Sequence, residues 1–262
     1  LKRYEGYALI TGGSSGLGLE FAHQLAAQGY DLVLVARDET NLEKAADSIR
    51  EKHTVQIVTF TQDLRLADSG SLLYEFLKLQ KISVGLLVNN AGYNVPGTFH
   101  EADEQKMLGM VDLMCLGYTD LIYKFLPDML DKKQGAVILI ASLAALVPMP
   151  KSSVYAAAKA FTLQLGISLH AEYTQQGIDV LVVCPSLVDT NIFKASGRQA
   201  PDARLLTPQR VIQKTLDALG KKIVIVIPHD LKAKILFWLS YIMPRKILEK
   251  VVLKEIKKVF KE

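Results

Sequence analysis

The sequence predicts a doubly wound α/β fold: a seven-stranded, mostly parallel sheet with helices on both faces. Three observations predict it. Short aliphatic, β-branched runs recur at residues 7–11, 31–36, 55–60, 85–89, 135–141, 178–183 and 222–227. The intervals between them are long enough for crossovers and carry helical spacing. The runs are apolar throughout rather than alternating, so they need cover on both faces, which crossover helices supply. A helical bundle is the competing class, and the β-branched runs disfavour it.

At 262 residues, half of them apolar, the chain has enough material for one large core. No internal repeat, low-complexity segment or Gly/Ser linker interrupts it, so no boundary is placed before residue 231. Cys115 and Cys184 each lie in an apolar segment, which argues against a disulfide framework and for a reducing, cytoplasmic setting. The five histidines are scattered without ligand spacing, and no metal site is expected. Residues 231–262 hold nine Lys/Arg and three Asp/Glu, net +6, leaving −2 for the remainder. No aromatic-interleaved basic patch accompanies this charge, so nucleic acid is not expected as a partner. The first residue is Leu, and the lack of a signal or anchor at this end carries no weight.

The first strand runs into "TGGSSGLGLEF", with Thr11, Gly12, Ser14, Ser15, Gly16, Leu17 and Gly18 leading into a helix. Glycines there let the backbone turn tightly and approach a pyrophosphate, whose charge the helix start favours. The spacing G-x-x-x-G-x-G differs from G-x-G-x-x-G, and a plain strand–helix junction explains the same glycines. The second strand ends "LVLVARDE". Arg37 suits a ribose 2′-phosphate better than Asp38, one position further out, suits a 2′-hydroxyl, so NADP(H) is favoured over NAD(H). A solvated Arg-Asp loop is the alternative.

After the fifth strand, "SSVYAAAKAF" places Tyr155 one helical turn before Lys159. The spacing alone decides nothing, because "YEFLK" puts Tyr74 and Lys78 at the same interval. Context separates the two pairs. In order, the chain carries Thr11-Gly12-x-x-x-Gly16-x-Gly18, then Asp63 with Leu64, then Asn89-Asn90-Ala91-Gly92. Ser142, Tyr155-x-x-x-Lys159 and "PSLVDT" at 185–190 follow. Each is placed at the carboxyl end of a predicted strand or on the next helix, where open α/β sheets collect their sites.

Over nearly its whole length this string resembles the short-chain dehydrogenase/reductase family. It looks closest to a bacterial branch with a hydrophobic helical end and to hydroxysteroid and ketoacyl reductases. The resemblance implies a Rossmann-like domain over 1–230 that binds a dinucleotide and catalyses hydride transfer to a carbonyl, or from a secondary alcohol. It implies Ser142, Tyr155 and Lys159 as the catalytic set. It also implies cofactor contacts from the glycine turn, Arg37, Asp63, Leu64, Asn89, Ala91, Gly92, Tyr155, Lys159, Pro185, Val188 and Thr190. In chemical terms, a free tyrosine of pKa roughly 10 is a poor base at neutral pH. Lys159, one turn away, is expected to lower it.

Two positions depart from the family pattern. In "MVDLMCLGYTD", Asp112 and Gly117 keep the frame, while Met114 stands where the family has an asparagine that helps hold a proton-relay water. A thioether donates no hydrogen bond. The expectation is turnover with slower or rerouted proton delivery; the alternative is a nucleotide-binding homologue acting as sensor or scaffold. Ser186 replaces a frequent glycine.

The stretches 92–99, 143–152 and 191–206 are expected to border the substrate; the first two are apolar and the last reads as a mobile lid. A small hydrophobic substrate, lipid-like or steroid-like, is expected. The tail 231–262 splits at Pro244 into two helical pieces, the first too short to span a bilayer. In the second piece Ile247, Leu248, Val251, Val252, Ile256, Val259 and Phe260 form one stripe. Packing or homo-oligomer formation is ranked ahead of peripheral membrane contact for this amphipathic extension.

Overall fold

All seven apolar runs form strands: β1 (Tyr7–Thr11), β2 (Leu32–Ala36), β3 (Ile57–Thr61), β4 (Val84–Asn89), β5 (Gly135–Ile140), β6 (Ile178–Pro185) and β7 (Val224–Ile227). The computed structural model describes residues 3–190 and 205–260, the side chains of residues 241 and 255–260 excepted. The lid expected at 191–206 falls outside the described residues except for its last two positions. The helices are α1 (Gly16–Ala27), α2 (Glu39–Arg50), α3 (Ser69–Leu79), α4 (Glu104–Val111), α5 (Tyr118–Asp131), α6 (Ser153–Tyr173), α7 (Pro208–Ala218), α8 (Leu231–Ile242) and α9 (Arg245–Phe260).

The strand order is β3-β2-β1-β4-β5-β6-β7, and every pairing is parallel. Because side chains alternate along a strand, each strand feeds two cores. Ala8, Ile10, Leu32, Leu34, Leu86 and Val88 pack on one face with Phe21 and Leu25 of α1, Leu42 of α2 and Val211 of α7. Leu9, Val33, Val35 and Leu87 pack on the other with Leu73 of α3, Phe125 of α5 and Leu163 of α6. Burial on both faces is the physical reason the strands read as unbroken apolar runs. The order reverses between β1 and β4, so the crossovers leave in opposite directions there and a crevice opens at the carboxyl edge.

Between α4 and α5 the chain makes a π-helical turn, Asp112–Gly117, that the apolar pattern did not announce. It brings Met114 to full burial. The tail bends at Pro244 as its sequence indicates, separating α8 from α9. Leu248 and Val252 of α9 are buried against Val147, beside Leu146, Met149, Leu236 and Met243. Ile247, on the same expected stripe, is 51% exposed, while the side chains of Ile256, Val259 and Phe260 lie outside the described residues.

Candidate active site

A cavity of about 840 Å³ opens at the β1/β4 crevice, lined by groups from most of the sheet's carboxyl edge. Gly12, Ser14, Ser15, Gly16 and Leu17 come from the turn after β1, Arg37 from the end of β2, and Asp63 with Leu64 from the loop after β3. Ala91 and Gly92 follow β4, Ser142 follows β5, and Tyr155 with Lys159 project from α6. Pro185, Val188 and Thr190 close the wall after β6.

Local chemistry shapes the end nearest the glycine turn. Gly12 has φ +69°, and a Cβ there would come 3.0 Å from the Asn90 Nδ2. Gly18 lets α1 meet the turn, since a Cβ would fall 2.1 Å from the Gly12 carbonyl oxygen. Ser15 caps α1 with no side-chain hydrogen bond, which leaves the first N–H groups of the helix to anionic oxygens. Arg37 is exposed at the rim and forms no ion pair among the described residues. Asp38 instead accepts from the Asn41 N–H at 2.8 Å as the cap of α2. This cradle, with the Arg37 guanidinium beside it, fits a dinucleotide. Asp63 is held by Arg65, whose Nε and Nη2 donate to its carboxylate at 2.9 and 2.5 Å, and these bonds pull its pKa down.

Three residues expected to touch the cofactor do not line the cavity. The Thr11 hydroxyl donates to the Val88 carbonyl at 3.2 Å and accepts from the N–H groups of Asn90 and Ala91 at 2.9 and 3.0 Å, tying the β1 and β4 turns together. Gly18 lies beneath Gly12. Asn89 is fully buried behind the cavity wall and donates to the Tyr118 carbonyl at 3.3 Å. Asn90, its neighbour in the motif, lines the cavity instead and donates to the Thr11 carbonyl at 2.8 Å. Strand alternation turns one asparagine inward and the other to the crevice.

At the far end, the Ser142 hydroxyl accepts from the Ala144 N–H at 3.1 Å and lies in the same cavity as Tyr155. Lys159 is 3% exposed, and its Nζ donates to the Ile140 carbonyl at 2.6 Å. Burial lowers its pKa to about 8, against smaller opposing contributions from Cys184 and Cys115. The expected depression of the Tyr155 pKa is corrected: burial pushes the phenol up, and the neighbouring Ser142 hydroxyl only moderates it. The Lys159 Nζ lies over the Tyr155 ring, 5.8 Å from its centroid. The same ammonium is 5.9 Å from the ring of Tyr118, whose hydroxyl donates to the Ala91 carbonyl at 2.9 Å. Met114 reaches this cluster too, since a Cβ on Gly92 would meet its Sδ at 3.1 Å and the Lys159 Nζ at 3.5 Å.

The competing pair is elsewhere. Tyr74 donates to the Asp128 carboxylate at 3.2 Å, and Lys78 is 3.7 Å from it, on α3 against α5. Several wall residues were not singled out from the sequence, some of them inside the stretches 92–99 and 143–152 expected at the substrate. Asn94 donates to the Ser152 hydroxyl at 3.2 Å, and both line the cavity. Ser186, read only as a lost glycine, pairs its hydroxyl with the His229 Nδ1 at 2.9 Å, and both also line it. Leu236 of α8 and Val252 of α9 complete an apolar wall with Val147 and Met149. No motif marks these positions, because each depends on which loop the tail lies against.

A family model for short chain dehydrogenase matches residues 6–201. A protein of Phaeosphaeria nodorum named very-long-chain 3-oxoacyl-CoA reductase is 32% identical over 219 residues, covering 82% of this chain. This chain spans 63% of that protein's length. A mouse protein of the same name is 29% identical over 255 residues, covering 94% of this chain and 78% of its own. Among solved structures, a short-chain dehydrogenase from Sphingobium yanoikuyae in complex with NADPH superposes with a TM-score of 0.79 at 25% identity, covering 97% of this chain and 96% of its own. Sequence match and shared architecture agree over the segment that builds the cavity, and the chain belongs to the short chain dehydrogenase family.

Proposed function

We propose that this chain is an oxidoreductase that uses NADPH to reduce the 3-oxo group of a long acyl thioester. The observation that carries the reading is that Ser142, Tyr155 and Lys159 line one cavity, with the glycine cradle at one end and an apolar wall at the other. When bound, the dinucleotide supplies hydride to the carbonyl carbon; the chain's own task is the oxygen. Burial keeps the Tyr155 phenol protonated, so it serves as the acid that donates a proton to that oxygen, while Ser142 donates a second hydrogen bond. Lys159, fixed by the Ile140 carbonyl, positions the tyrosine and offers hydrogen-bond donors to the cofactor's ribose. Arg37, exposed at the rim without an ion pair among the described residues, supports the phosphate-bearing cofactor.

The acyl thioester is suggested by the names of the relatives and by the apolar wall of Val147, Met149, Leu236 and Val252. In this reading residues 231–262 are an extension that completes the cavity of the 1–230 domain. The non-catalytic alternative raised by Met114 is not favoured, since the acid, its orienting hydroxyl and the lysine share one cavity. The test follows NADPH absorbance with 3-oxoacyl-CoA esters of increasing chain length. Turnover is expected to rise with length and to fall by about 10²–10⁴ in Tyr155→Phe, with NADPH binding within about twofold of wild type. Tight NADPH binding without oxidation of any 3-oxo ester would defeat the proposal.

A further inference from the structure

On α8, Leu231, Ile235, Trp238 and Ile242 are 70%, 50%, 63% and 79% exposed. Their spacing of four, three and four residues puts them within an arc of roughly 60° at the helical period. A helix packed on a globular body normally turns charge outward. Here the inward side is already satisfied: Ala233 and Ser240 are buried, and Leu236 faces the cavity. A second apolar face therefore points to solvent, flanked by the exposed Lys232 and Lys234. Past the bend, Ile247 is exposed with Arg245, Lys246, Lys250 and Lys254 around it.

We propose that this stripe seats the molecule on an anionic lipid surface, with the mouth of the substrate cavity held beside it. Charge selects that occupant. The tail carries +6 against −2 for the rest of the chain, so it is drawn to anionic headgroups and is repelled by the same face of a second copy. A tryptophan amid aliphatic side chains between cations is the composition of an interfacial helix. No helix among the described residues is long and apolar enough to cross a membrane, so α8 lies along the surface. Leu236, on the other side of the same helix, lines the substrate cavity, so the seating sets that cavity about one helix diameter from the lipid. That last link rests on the reductase reading; the seating does not.

Trp238 is the sole tryptophan, so its emission reports on the stripe directly. The whole chain is mixed with phosphatidylglycerol/phosphatidylcholine vesicles and with phosphatidylcholine vesicles alone, and flotation is measured alongside fluorescence. A blue shift and flotation on the mixed vesicles, weakened by high salt, are expected. The double variant Ile235→Ser/Ile242→Ser, with its unfolding midpoint unchanged, should bind about tenfold or more weakly. Absence of flotation with both vesicle types overturns the proposal. So does emission that is already blue without lipid and tracks protein concentration, which identifies a second copy as the occupant. Vesicle binding without turnover of any 3-oxo ester counts against the reductase and for the seating.

Discussion

Lys159 is nearly enclosed, so its charge is costly. A pKa lowered from 10.5 to about 8 means that the unfolded chain holds a proton the folded chain releases between those values. Stability therefore rises with pH across that window: the penalty is complete below about pH 8 and gone above pH 10.5. It amounts to about 3 kcal/mol. Lys159→Met should remove it, so the stability difference between variant and wild type, read by urea unfolding at pH 7 and pH 10, should favour the variant more at pH 7. Equal differences at both values would contradict the assignment. Arg37 acts at the opposite end of the cavity. Arg37→Ala should raise the KM for NADPH about tenfold and leave that for NADH within about twofold, since only the former carries the 2′-phosphate. The placing of Tyr155, Lys159, Ser142 and Arg37 along the cavity was legible because the order of motifs sets them at strand ends and on the helix after β5. The direction of the Tyr155 pKa shift was not, because it depends on burial by segments distant in sequence.

Among the elements, the π-helical turn Asp112–Gly117 matters most to the chemistry. It presents Met114 to the space shared by Gly92 and Lys159. An amide there can accept from the ammonium and donate to a water, which the thioether cannot do. Met114→Asn is expected to raise kcat severalfold and to shift its pH profile, with the KM for NADPH unchanged. A fall in kcat would show instead that the apolar contact is needed. Sequence located the position of Met114 by its frame with Asp112 and Gly117, yet the wide turn escaped it, since one extra residue in a helical turn leaves the apolar pattern nearly intact. The tail shows the converse. Its split at Pro244 was legible, but its two-sided use of α8 was not, because an apolar helix does not state which of its faces the body will cover.

For the molecule as a whole, stability should follow the layers. The central strands β1, β4 and β5 are covered on both faces, whereas α8 and α9 rest on one small cluster around Leu248 and Val252. Hydrogen exchange is expected to be slowest in β1, β4 and β5 and fastest in α8 and α9, with the tail opening well below the free energy of global unfolding. Uniform protection would show the tail to be part of the main core. By itself the sequence determined the seven strands, their mostly parallel sheet and the family of the site, because strand burial on both faces and glycine-bearing turns leave marks within a few residues. Only the tertiary structure decided that Asn90 rather than Asn89 meets the cavity, that His229 pairs with Ser186, and that Leu236 and Val252 close the apolar wall. These are contacts between segments far apart in the chain, settled by which faces remain uncovered once the sheet and its helices have packed.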